Sequence, residues 1–118
     1  TTKTVKEPVS EIISVGALDV ASRGGQSFRF ERVFTATATA YTHTGNRTKT
    51  GVWPQVGTIA VDPTVIALGT RVYVEGYGFG VAQDVGSAIK GSRIDVFVDS
   101  EAAAVRWGVR QVRVYVLS

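Results

Sequence analysis

Short β-branched runs, separated by segments that contain glycine or proline, constrain this chain more than anything else in it. Val33-Phe34-Thr35-Ala36-Thr37-Ala38-Thr39-Ala40-Tyr41 alternates threonine with alanine at period two, the mark of a strand with one small face. Alanines on that face predict close approach by another element. Further runs follow at Thr58–Asp62 (stopped by Pro63), Thr70–Glu75, Phe79–Gln83, Ile94–Val98 and Val109–Leu117. Gly76-Tyr77-Gly78 reads as a tight turn, and Thr42 to Gln55 as a long polar loop of the kind that often carries function. Regular short strands with glycine turns predict a mainly all-β fold, a closed or nearly closed barrel. One helix interrupts them: Ser100 is a good N-cap, Glu101 suits the first turn, Ala102 to Ala104 favour helix, and Gly108 stops it after Arg106.

Composition limits the chemistry. The 118 residues suit one domain, with 44% hydrophobic and 19% charged residues, a globular balance. Cysteine is absent, which excludes disulfides, thiolate metal sites and a cysteine nucleophile. His43 is the single histidine, too few for a two-histidine metal site. No apolar run approaches the roughly 20 residues of a membrane span. A net charge of +3 favours anionic surroundings weakly, and Arg106, Arg110 and Arg113 come with no recognition helix, so no nucleic-acid partner is expected. Chemistry is left to 5 Asp, 5 Glu, hydroxyls and glycines.

Residues 1–27 read differently. Thr4–Glu7 could form a short strand before Pro8, and Ser22–Ser27 is polar and glycine-rich, as linkers are. The chain begins Thr-Thr-Lys, as a fragment or processed form would. We therefore expect 1–27 to be a linker or the tail of a preceding module, and 28–118 to be the barrel domain.

Among the acids, Asp62 and Asp84 stand at strand ends, where carboxylates build sites but also cap turns. Asp95 lies between Ile94 and Val96, inside an apolar strand, where a carboxylate is unfavourable without a partner or a cleft. If their strands are neighbours, the three converge, and like charges in a partly desolvated cleft raise at least one pKa. Three carboxylates also suit an oxygen-loving cation, but no EF-hand spacing exists, so no metal or cofactor is expected. Asp99 fits helix-start electrostatics. The Asp84–Gly91 loop lacks phosphate-loop spacing, and Gly86 and Gly91 fit tight turns. His43 reads as surface. Trp53 offers a face for sugar stacking or an anchor beside Pro54, Trp107 reads as core, and Tyr77 is undecided.

Several runs together resemble a known family. Gly57-Thr58-Ile59-Ala60-Val61-Asp62-Pro63, Ile66–Thr70, Val72–Gly78, Asp84–Gly91, Arg93–Phe97, Glu101-Ala102 and Trp107-Gly108 resemble the 3D (three-aspartate) domain of the Gram-positive stationary-phase survival family. Its C-terminal half is similar to the membrane-bound lytic transglycosylase A family. Thr39-Ala40-Tyr41 fits the opening motif. Val5–Pro8 through Val15-Gly16 resembles the tail of a five-glycine cell-wall module. The resemblance implies a double-psi β-barrel of about six strands, located in the cell wall outside the cell. It implies cleavage of the MurNAc-β-1,4-GlcNAc bond of peptidoglycan with 1,6-anhydro product. It makes Asp95 the acid/base, Asp84 its tuner and Asp62 the third member, with Tyr41, Tyr77, Gly86, Ser87 and Lys90 touching saccharide. The chain departs from the pattern at Val85, where Thr is usual, and at Ser87, where Gly is usual. The long loop also lacks the cysteines of many relatives.

Overall fold

The computed structural model describes residues 11–15, 18–23 and 26–117. The expected strand at Thr4–Glu7 lies outside these. The elements are β1 (Glu11–Val15), β2 (Leu18–Arg23), β3 (Gln26–Tyr41), β4 (Thr58–Ala60), β5 (Arg71–Val74), β6 (Gly78–Asp84), β7 (Arg93–Phe97), α1 (Glu101–Trp107) and β8 (Arg110–Leu117). Six strands run in the order β3-β7-β4-β6-β5-β8, and β8 pairs back onto β3, closing the barrel. The strands read from periodicity all appear, within a residue or two at their ends except β3.

β3 is longer than its alternation predicts. It starts at Gln26 because it has partners there: residues 26–30 pair with β2, and Phe30–Ala38 pair antiparallel with β8. Its last five residues, Thr37–Tyr41, pair parallel with β7. One strand thus serves two edges of the barrel and carries the β1–β2 hairpin beyond it. Residues 11–15 and 18–23 of the expected connector are strands, and the division at Phe28 falls within β3.

The interior is a layer of small and β-branched side chains: Ala36 and Ala38 of β3, Ile59 of β4, Val72 and Val74 of β5, Ala82 of β6, Ile94 and Val96 of β7, and Val112, Val114 and Val116 of β8. Each fully buried valine or isoleucine contributes about 1.5–3 kcal/mol over its exposed state. The alanine face of β3 admits α1. The Trp107 ring packs into the core and its indole N–H donates to the Ala38 carbonyl at 3.1 Å. The helix ends as its sequence predicts, with the Ser100 hydroxyl accepting from Ala103 N–H at 3.1 Å and Gly108 closing it at φ 66°. Tyr115 turns outward from β8 into an aromatic cluster with Phe28, Phe30 and Tyr73.

Gly80 marks where β6 crosses β4 most closely. A Cβ there would stand 2.6 Å from Ile59 Cδ1 and 2.7 Å from the Gly57 carbonyl oxygen. Backbone cannot yield as a flexible side chain can. Gly80→Ala is therefore expected to destabilise the barrel by about 1–3 kcal/mol, the usual cost of overpacking. Urea denaturation followed by tryptophan fluorescence measures it, and unchanged stability would contradict this packing.

Candidate active site

The site begins at a single alanine. Ala60 of β4 is paired with Asp84 of β6 on one side and with Asp95 of β7 on the other. Asp95 is in turn paired with Thr39 of β3. Thr39, Asp95, Ala60 and Asp84 thus form one row across four neighbouring strands. The adjacent residues Ala38, Ile94 and Ile59 belong to the core, so the row faces out of the barrel. Ala60 is buried and places only a methyl group between the two carboxylates.

Strict alternation would not give this row. Ala82 points into the core, so Asp84, two residues on, should point inward as well. The register slips instead: Ile59 pairs with Ala82, but Ala60 pairs with Asp84, leaving Gln83 as an extra residue. This bulge brings Asp84 onto the outer face; re-aiming a side chain is a common use of bulges. Gln83 is not idle, since its amide oxygen accepts from the buried Thr58 hydroxyl at 2.9 Å.

The three aspartates have different surroundings. Asp95 is half-buried and accepts a hydrogen bond from the Thr39 hydroxyl at 3.0 Å. Its pKa lies above the ordinary carboxylate value, first because of desolvation; the Asp84 charge pushes the same way, while Thr39 and Arg93 oppose it. Asp84 accepts from Val85 N–H at 2.9 Å and Lys49 N–H at 3.0 Å, tying the row to the loops on either side. Asp62 is a turn cap: it accepts from Thr64 N–H at 3.0 Å, from the Thr64 hydroxyl at 2.8 Å and, across the molecule, from Gly91 N–H at 2.8 Å. Donation by Gly91, then by Thr64, lowers its pKa to about 2. Asp95 and Asp84 come together on the row; Asp62 does not join them. Among the described residues no three acidic or imidazole groups gather in a metal-holding arrangement.

The tyrosines also divide. Burial pushes the Tyr41 hydroxyl up in pKa, and the charges of Asp84 and Asp95 add to this. It lies beside Asp84 without reaching hydrogen-bond geometry, and it and the Thr42 hydroxyl are buried without a partner. Buried polar groups are rarely left so. Tyr77 accepts from Gly57 N–H at 2.7 Å and donates to the Phe97 carbonyl at 2.6 Å, pinning two segments together. Burial raises its pKa too.

The loop after Asp84 is tightly wound. Ile89 N–H donates to the Gly86 carbonyl at 3.0 Å, and a Cβ on Gly86 would meet Ile89 Cγ1 at 2.9 Å. Ile89 is buried, whereas Ser87 and Lys90 are exposed. The Thr42–Gln55 loop is held as firmly. Thr48 is buried, bonding to Val52, and Thr50 N–H donates to the Gln83 carbonyl at 3.2 Å. A hollow of about 470 Å³ lined by Arg32, Ile66, Gly69, Thr70 and Leu117, among others, contains none of the sequence-predicted site residues. Sequence reasoning missed Thr39 as the partner of Asp95, the Gln83 bulge and the Lys49 contact. Threonines at period two were the only trace of the first, and the others left none.

Several known proteins are similar to this chain. The cell wall-binding protein YocH of Bacillus subtilis (strain 168) is 52% identical over 92 residues, which are 71% of this chain and 32% of YocH. YabE of the same organism, named for cell wall shaping, is 45% identical over 107 residues, 84% of this chain and 26% of YabE. The chain therefore spans between a quarter and a third of these relatives. A variant of the Escherichia coli lytic transglycosylase MltA in an apo form superposes with a TM-score of 0.54 and 26% identity, over 62% of this chain and 27% of MltA. The family model of the 3D domain matches residues 57–118, and the chain belongs to the 3D domain family.

Proposed function

We propose that this domain is a lytic transglycosylase that cleaves the MurNAc-β-1,4-GlcNAc bond of peptidoglycan, with Asp95 as the single general acid/base. The observation that carries this reading is Asp95 itself. It is a half-buried carboxyl of raised pKa, held by the Thr39 hydroxyl on an outward row that it shares with Asp84. A raised pKa shifts the carboxyl toward the protonated form that a general acid needs. Likeness to MltA and to two cell-wall relatives supports the substrate class.

Asp95 donates its proton to the glycosidic oxygen as the C1–O bond breaks. The resulting carboxylate then takes the proton of the same sugar's C6 hydroxyl as that oxygen attacks C1. The proton is returned, no water is consumed, and the product is the 1,6-anhydro sugar. One carboxyl suffices because the nucleophile is already tethered, whereas glycoside hydrolysis normally divides the work between two. Asp84 holds the Asp95 proton by its charge and fixes both flanking loops. Tyr41, its hydroxyl enclosed beside Asp84, walls the groove. Gly86, Ser87 and Lys90 present the loop to the saccharide, and Tyr77 braces the wall beside Phe97. Asp62 is a positioning residue that holds Gly91 and so the end of this loop. The stretch before Phe28 is the tail of a preceding wall-binding module, and the protein works in the cell wall, outside the cell.

The name of YocH favours a second reading, a module that binds the wall without cutting it. Digestion of purified peptidoglycan separates the two. Mass spectrometry should find anhydro-muropeptides; bound wall with no product at any pH would establish the second reading, and reducing-end products a hydrolase.

Three variants have expected outcomes. Asp95→Asn should lower turnover by about 10²–10⁴-fold, the usual contribution of a general acid/base. It should also raise the melting temperature at neutral pH, because a carboxyl whose folded pKa lies above its unfolded value costs stability once pH passes that interval. Asp84→Asn keeps the acceptor for Val85 and Lys49 but removes a charge that raises the Asp95 pKa. The alkaline limb of the pH–rate profile should therefore move to lower pH, as initial rates on labelled wall would show. Asp62 works in the opposite sense. Its folded pKa is depressed to about 2, so its support is complete above the ordinary carboxylate value near 3.8 and is lost as pH falls toward 2. The protection factor of the Gly91 amide, its exchange compared with the intrinsic rate at each pH, should fall over that window in the wild type and stay flat in Asp62→Ala.

A further inference from the structure

Trp53 has no part in the site described so far. It is 55% exposed, an unusual state for a large aromatic ring in a loop that is otherwise held firmly. The Arg47 guanidinium lies 4.6 Å over its ring, and Arg47 itself donates to the Gly51 carbonyl at 3.2 Å. Both contacts hold the indole in one orientation. Beside it is a hollow of about 280 Å³ lined by His43, Thr44, Gly45, Asn46, Trp53 and Pro54. Arg47 does not line this hollow, so the part of the ring that faces it is free.

The hollow is joined to the carboxylate row. Phe97 follows Asp95 by two residues on β7 and shares its outer face. Its ring packs edge-on against Tyr41 at 5.5 Å and against His43 at 5.0 Å. Two strand residues and one ring contact place the hollow on the order of 10 Å from Asp95, a distance that a few linked pyranoses span. The lining pairs a flat apolar indole and a proline with a hydroxyl, an amide and an imidazole. A pyranose has the same division: an apolar face of C–H groups bordered by hydroxyls. The volume is below the roughly 300–1,000 Å³ of drug-sized ligand pockets, which suits one sugar ring at a time.

We infer that Trp53, with His43, Thr44 and Asn46, forms a distal saccharide subsite that takes an N-acetylhexosamine ring of the same glycan strand whose linkage lies over Asp95. The inference rests on the proposed glycan-cleaving role, and it adds that binding strength depends on strand length. The Lys49 and Thr50 backbone contacts to Asp84 and Gln83 fix the platform relative to the row.

The two indole N–H signals of the 118-residue Asp95→Asn chain provide the test. Trp107 is buried and bonded to Ala38, so its signal is an internal reference. Titration with peptide-free GlcNAc–MurNAc oligomers should move the Trp53 indole signal and the Gly86 and Gly91 amides, and leave Trp107 still. Trp53→Ala should weaken binding of the longer oligomers by about tenfold, the loss of one apolar ring contact, while Trp53→Phe retains most of it. If Gly86 and Gly91 respond and Trp53 does not, the strand binds the row alone and the distal subsite is wrong. If neither responds, the glycan reading of the row fails and the subsite fails with it. A Trp53 signal that moves with the free stem peptide and not with the glycan would overturn the assignment of a saccharide.

Discussion

The closure of the barrel by β3 is the constraint on which the rest depends. This one strand pairs antiparallel with β8 along its middle and parallel with β7 at its end. As the first strand of the six-strand circuit it pairs with the last, closing the ring, and it fixes Thr39 opposite Asp95. Its alanine face leaves room for Trp107, so the helix seats against the same strand. Loss of either pairing would open the barrel, and loss of the β7 pairing would separate Thr39 from its carboxylate.

On this frame, small irregularities set the chemistry. A single extra residue, Gln83, turns Asp84 from the core side to the side of Asp95, with only the Ala60 methyl between them. Similar side chains then behave differently because their surroundings differ. Backbone N–H groups hold Asp62 as a charged turn cap, whereas partial burial and a like charge keep Asp95 biased toward its protonated form. Asp84 stands between these roles, bonded to two backbone N–H groups that anchor the loops on either side of the row. The site thus couples loop placement to proton handling through one carboxylate.

The two long loops extend that coupling. Lys49 and Val85 both donate to Asp84, and Thr50 donates to the carbonyl of Gln83. The loop that carries Trp53 is therefore pinned to the same bulge that places Asp84. Any displacement of the bulge would be felt at the proton donor and at the aromatic platform together.

Much of this was legible in the residues. Period-two alternation located the barrel strands, Ser100 and Gly108 bounded the helix, and the apolar neighbours of Asp95 marked it as an acid in an unfavourable place. Local sequence carries these signals because strand alternation, capping and β-propensity act over a few residues. The strand order, the reach of β3 back to Gln26, the Thr39–Asp95 pairing and the Gln83 bulge were not legible. Each depends on which distant strand lies alongside, and nothing in Gln83 itself says that it will be the unpaired residue. The sequence alone therefore determined the kinds of element and the stock of carboxylates available for chemistry. Only the tertiary structure decided which two share a row and which one caps a turn, because register between strands far apart in the chain sets the direction and the solvation of each side chain.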